Sequence, residues 1–164
     1  MTVTCLILII IAAICAAVSE FAARTTAPLI ALCALAIGLA APDSGVTWQS
    51  VAFWGACAAV APGINMMLPP QVSRNRSGQA YLFGAALAGA FTGMIISTAG
   101  MILGAAAGAL CGAIAFSRTP AGTSLRFPSS QFLNYVCAKG LPAIVTACLC
   151  GLAVLSAAAL IHSL

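Results

Sequence analysis

The chain has 164 residues, 63% of them hydrophobic and 5% charged, with a formal net charge of +4 at pH 7. Soluble domains carry roughly 25% charged residues, so this composition excludes a water-facing globular surface and makes lipid the solvent. The six basic residues are dispersed among polar connectors and form no basic stripe, which excludes a nucleic-acid partner and leaves them to orient the chain in a bilayer.

The first apolar segment, 3–23, has about the 20 residues that a bilayer core demands. No Lys or Arg precedes Arg24, so a basic n-region is missing and the segment is expected to be retained rather than cleaved. Glu20 and Arg24 lie four residues apart at its end, where the spacing predicts a solvated pair beside the headgroups. Thr25-Thr26-Ala27-Pro28 then offers a capping hydroxyl and an early-turn proline to a second segment, 27–41. It reaches only about 25 Å, so it is expected to stand untilted or to sit where the bilayer thins.

Pro42-Asp43-Ser44-Gly45 is a turn cluster, and Trp48 and Trp54 straddle the start of a third segment, 49–68, where indoles favour the interface. Pro62-Gly63 and Asn65 predict a kink near the membrane boundary, with a ligand-lining break as the sharper alternative. Pro69 to Gln79, containing Arg74 and Arg76, is a polar, helix-breaking connector. From Ala80 to Phe116 there is no charged residue, which is too long for one crossing and fits two, 80–97 and 99–116, turning near Ser97-Thr98-Ala99-Gly100. Arg118 to Arg126 returns to a polar loop. Gln131 to Lys139 is a short amphipathic lead-in to the last segment, 142–161, followed by a solvated His162. The expected fold is all-α, a single membrane domain over 1–164 built as a polytopic transmembrane helical bundle of about six segments.

The most specific pattern is Gly100, Gly104, Gly108 and Gly112, four glycines at spacing four, which make a side-chain-free groove along one helix face. The preceding helix carries its own small stripe in Ala85, Gly89, Gly93 and Ser97, with Gly84 beside it. Such faces approach closely and gain van der Waals and Cα–H···O contact in lipid, where no hydrophobic force drives helices together. This glycine zipper packs the hairpin against itself or the terminal helix; the alternative is homo-oligomerisation through the same groove, around a pore.

Ser77-Gly-Gln-Ala-Tyr-Leu-Phe-Gly84 through Gly93, the run Ala99-Gly100 to Gly112, and Lys139-Gly140 ahead of the closing helix together resemble the membrane proteins of domain-of-unknown-function family 456. The chain differs from that group in having only Arg24-Thr-Thr-Ala-Pro28 after the first helix and no acidic residue in Ala113-Ile-Ala-Phe116. The family has no established activity, so the resemblance implies a membrane hairpin and no reaction.

Two acidic residues and one histidine, in separate connectors or ends, supply no convergent acids, bases or ligands. No catalytic, cofactor or metal site is expected, and the chain reads as no enzyme. The eight cysteines lie mostly in apolar runs and behave as small apolar residues, and Cys148-x-Cys150 points to different faces of a helix. Polar candidates within segments are Asn65, Thr92, Ser97 and Thr98, none charged, whereas transporters bury ionisable groups. That favours a structural or assembly protein whose partners are the lipid bilayer and a second copy or other membrane proteins; the alternative is a small oligomeric channel, holin-like or transporter component. With six crossings, Arg24, Arg74, Arg76, Arg118, Arg126 and Lys139 share one face and Asp43 lies opposite. The positive-inside rule makes that face cytoplasmic and puts both termini in the periplasm of a cell inner membrane.

Overall fold

The structure is a computed structural model that describes residues 2–22, 26–41, 44–67, 78–122, 125 and 129–163. Arg24, Asp43, Arg74, Arg76, Arg126 and the connector 69–77 lie outside the described residues. Among the described residues six helices follow in order, besides a single 3-10 turn at Pro120–Gly122: α1 Thr2–Phe21, α2 Ala27–Leu39, α3 Trp48–Met67, α4 Gln79–Met94, α5 Thr98–Ser117 and α6 Ser130–His162. No strand occurs among the described residues. Val3–Phe21, Thr98–Ser117 and Ser130–His162 are long and apolar enough to cross a membrane, and Ala27–Leu39 is a shorter apolar helix. The expected all-α membrane fold of about six hydrophobic segments is the one observed.

α6 is the hub, in contact with each of the other five helices. Its sequence is apolar on every side, which suits a central helix rather than a lipid-facing one, and Val145 to Gly151 are buried without interruption. α1 packs between α2 and α6 and presents Val3, Ile7, Ile11, Ile14 and Val18 outward, the spacing of a lipid-facing stripe. α2 buries Ala27, Ala31, Ala34, Leu35 and Gly38, a narrow face of mostly small residues.

Several local expectations are corrected. Thr26 makes no side-chain cap bond, because its backbone is already helical (φ −87°, ψ −6°) and a capping side chain needs an extended one; Pro28 does occupy the first turn. Ser44 terminates α2 instead, its hydroxyl donating to the carbonyl oxygens of Gly38 and Ala41. Trp48 is exposed, but Trp54 is turned into the core rather than to an interface. α3 runs on through Pro62 to Met67.

The largest departure concerns α6. The helix does not begin at Pro142; it begins at Ser130, where Ser129 Oγ accepts from the Phe132 amide at 3.1 Å. Between Val136 and Gly140 it takes a π-helical turn, then continues as α-helix from Leu141. Proline has no N–H for the carbonyl four residues back and its ring crowds that carbonyl. The wider π turn sits where Pro142 would strain an α-helix, so the chain passes the proline without stopping. Lys139 consequently lies within a helix, not in a connector.

Candidate functional site

Two features stand out, a backbone seam between α4 and α5 and a buried polar centre beside it. The hairpin turns at Ile95 to Ser97, and Ser97, in extended conformation (φ −173°), accepts from the Gly100 amide at 2.9 Å to start α5. From there the two helices run antiparallel with their backbones touching. A Cβ on Gly93 would strike the carbonyl of Gly100, one on Gly89 that of Gly104, one on Gly108 that of Ala85, and one on Gly112 that of Tyr81. Each step of four on one helix meets a step of four on the other, so the small stripes expected from spacing do face each other. Gly84 is different, since a Cβ there would meet nothing within 4 Å, and it lies off the seam.

At the end of the bundle away from the hairpin turn, α1 finishes beside the start of α4 and the first half of α6. Glu20 is 1% exposed, Gln79 3% and Thr146 fully buried. Gln79 Nε2 donates to Glu20 Oε1 at 2.6 Å, and Thr146 Oγ1 donates to Glu20 Oε2 at 3.2 Å. Both carboxyl oxygens therefore act as acceptors. Lys139, on the π turn of α6, is 7% exposed. Gln79 Oε1 is buried with no hydrogen-bond partner. Aromatic rings flank the centre: Phe21 packs edge-on against Phe83 at 5.0 Å, and Phe116 stacks on Tyr135 at 5.8 Å.

The expected solvated helix-end pair is thus overturned on the Glu20 side. α1 is antiparallel to α6 and ends against it, so the last-turn carboxylate points inward to Thr146 rather than out to headgroups. Lys139 also differs from expectation, being enclosed in the bundle by the helix that extends upstream of Pro142. Arg118, at the C-cap of α5, is exposed. Of the polar residues singled out within segments, Thr92 bonds its own helix at the Ala88 and Gly89 carbonyls, Ser97 is an N-cap, and Thr98 is exposed. The side chain of Asn65 lies outside the described residues.

Gln79 and Thr146 carried no signal by spacing, because they belong to different helices and meet only through the tertiary fold. Glu20 did carry one. An ionisable residue within a long apolar run is a functional candidate by default. Among the described residues no group of three His, Cys, Asp or Glu could hold a metal ion, and the cysteines are free thiols. His162 is exposed. Comparison with protein-family models, with curated proteins and with solved structures finds no match to this chain.

Proposed function

We propose that the protein is a multi-pass component of a cell inner membrane with a structural or assembly role, in which the glycine zipper makes α4 and α5 one rigid unit. The observation that carries this reading is the reciprocal backbone contact along Gly89, Gly93, Gly104 and Gly108. The groove is filled by the chain's own partner helix, so association with a second copy or another membrane protein uses the lipid-facing surfaces and not the zipper. The role is non-catalytic and uses lipid as its first partner. Cross-linking in native membranes tests it: α1 or α3 outer-face cysteines are expected to capture a partner, whereas monomeric behaviour at every outer face would refute an assembly role.

A second reading, a small transporter or channel component, is favoured by one specific observation. Transporters bury ionisable groups, and Glu20 and Lys139 are each buried in the bundle. A carboxylate and an ammonium enclosed in an apolar bundle are costly to retain for packing alone. Ion flux into liposomes holding the purified chain, measured against Glu20→Gln, separates the two readings.

A further inference from the structure

The α4–α5 hairpin turns at a different level from the ends of the helices it packs beside. A Cβ on Gly151 of α6 would meet the sulfur of Met101 at 2.9 Å and that of Met94 at 3.8 Å. Met94 closes α4 and Met101 lies in the first turn of α5, so the two flank the hairpin turn and set it roughly 5 Å, one helical turn, past Gly151. α6 runs on from Gly151 to His162, about 16 Å of helix. α1 does the same: Cys150 Sγ donates to the Ala13 carbonyl at 3.9 Å, and from Ala13 back to Thr2 is again about 16 Å. The apolar cluster of this outer layer, Ile9, Ala34, Ala41, Ala153, Ala157 and Leu160, has no member from α4 or α5 among the described residues. Val154 and Leu155 of α6 are exposed beyond the turn.

α1 measures the bilayer. Its 20 residues extend about 30 Å, the thickness of a hydrocarbon core, and its outward stripe is apolar from Val3 to Val18. Ala13 therefore stands near the mid-plane, and the turn at Ile95 to Ser97 stops about 10 Å short of the far edge. The turn has the chemistry of that depth. Ile95 is 84% exposed and Ile96 82%, and no charged residue occurs from Ala80 to Phe116. The Gly93 carbonyl accepts from the Ile96 and Ser97 amides at 3.0 and 3.2 Å, and Ser97 Oγ accepts from the Gly100 amide, which spends these backbone donors within the turn as hydrocarbon requires.

We propose that α4 and α5 form a re-entrant hairpin, which enters and leaves the bilayer on the side of the basic connectors and presents Ile95 and Ile96 to phospholipid acyl chains of the opposite leaflet. Every connector keeps the side that six crossings give it, since a re-entrant hairpin and a pair of crossings both return the chain to the side it came from. Water does not suit the space beyond the turn, because two bare isoleucines face it. A second copy suits it no better, as two side chains offer far less than the roughly 800 Å² per partner of a stable interface. The re-entrant hairpin requires a membrane protein but neither of the two roles proposed above.

In a cysteine-free chain, a nitroxide spin label on Ile96→Cys in phosphatidylethanolamine–phosphatidylglycerol vesicles is compared with one on Ser163→Cys. Collisions are measured with oxygen, which concentrates in hydrocarbon, and with a water-soluble nickel chelate. Oxygen collisions and loss of nickel collisions are expected at position 96, and nickel collisions at 163. Equal nickel access at the two positions would mean that the hairpin crosses and overturns the proposal; access of neither reagent at 96 would mean that protein covers the turn and overturns its contact with lipid. A label on Ile7→Cys of α1 should match the one at 96. Nickel access at Ile7→Cys sinks the membrane reading and the hairpin with it, whereas nickel access at 96 alone sinks only the hairpin. Should the cysteine-free chain not fold, Ile96→Trp is made in the wild type, where chain-brominated lipids are expected to quench more fluorescence than without the substitution; quenching no greater overturns the proposal.

Discussion

Gly89 and Gly104 each stand where the other's carbonyl leaves no room for a side chain: a Cβ on either would run into the backbone carbonyl of its partner. Neither clash can be relieved by turning a flexible side chain, because the obstacle is main chain. Gly104→Ala or Gly89→Ala should therefore lower stability in detergent by about 1–3 kcal/mol or prevent folding, as overpacking does. Gly84→Ala should be neutral or gain up to about 1 kcal/mol of helix propensity, since nothing lies within 4 Å of its Cβ. Equal melting temperatures for Gly84→Ala and Gly104→Ala would show that the seam does not exist.

The hairpin was legible because its signal is local. Four glycines at spacing four identify a face before any partner is known, and charge-free length sets two segments rather than one. Gly84 shows the limit, because a glycine next to a stripe looks the same in sequence as one within it and only the crossing geometry separates them. The polar centre was illegible for the opposite reason: Glu20 and Thr146 meet across 126 positions and Gln79 joins them from what reads as a connector. Pro142 misled in a third way. As a helix-starting residue it has a sound physical basis, yet a π turn lets the helix run through it.

Glu20 is buried and both of its carboxyl oxygens accept hydrogen bonds, from Gln79 and Thr146, so removal of these residues should be energetically coupled. Glu20→Leu leaves the buried Gln79 Nε2 and Thr146 Oγ1 donors without their acceptor, which costs about 1–3 kcal/mol for each group left unsatisfied. Thr146→Val, of the same shape, should cost about 1–3 kcal/mol in the wild type and much less once Glu20 is gone. Additive unfolding energies across this cycle would mean the residues act independently.

Cys148 and Cys150 are buried and Cys15, Cys33 and Cys111 are exposed on apolar helices, and all eight cysteines are free. Replacing the eight together, with Ala at the buried positions, should leave a folded protein with a melting temperature lowered by a few degrees, since each buried thiol acts as a small apolar group. A stoichiometric transition metal in the purified protein, measured by elemental analysis, would contradict this.

Orientation in the bilayer can be argued from which helix ends lie together. Glu20 near the end of α1 bonds Gln79 at the start of α4, and Phe116 at the end of α5 stacks on Tyr135 in the first part of α6. The connectors that follow α1, precede α4 and follow α5 therefore attach to one end of the bundle, and five of the six basic residues, Arg24, Arg74, Arg76, Arg118 and Arg126, belong to those connectors. Lys139 is enclosed and drops out of the count. The remaining bias still directs that end to the cytoplasm, and α6, being long enough to cross, carries Ser163 to the other side. In a cysteine-free background, a cysteine at Ser163 should react with an impermeant thiol reagent added to intact cells, and one at Ser130, exposed at the start of α6, should react only after the membrane is opened. Reversed labelling would invert the orientation while keeping the crossing. Labelling of both positions in intact cells would mean that α6 does not span, and the assigned orientation would fall with it.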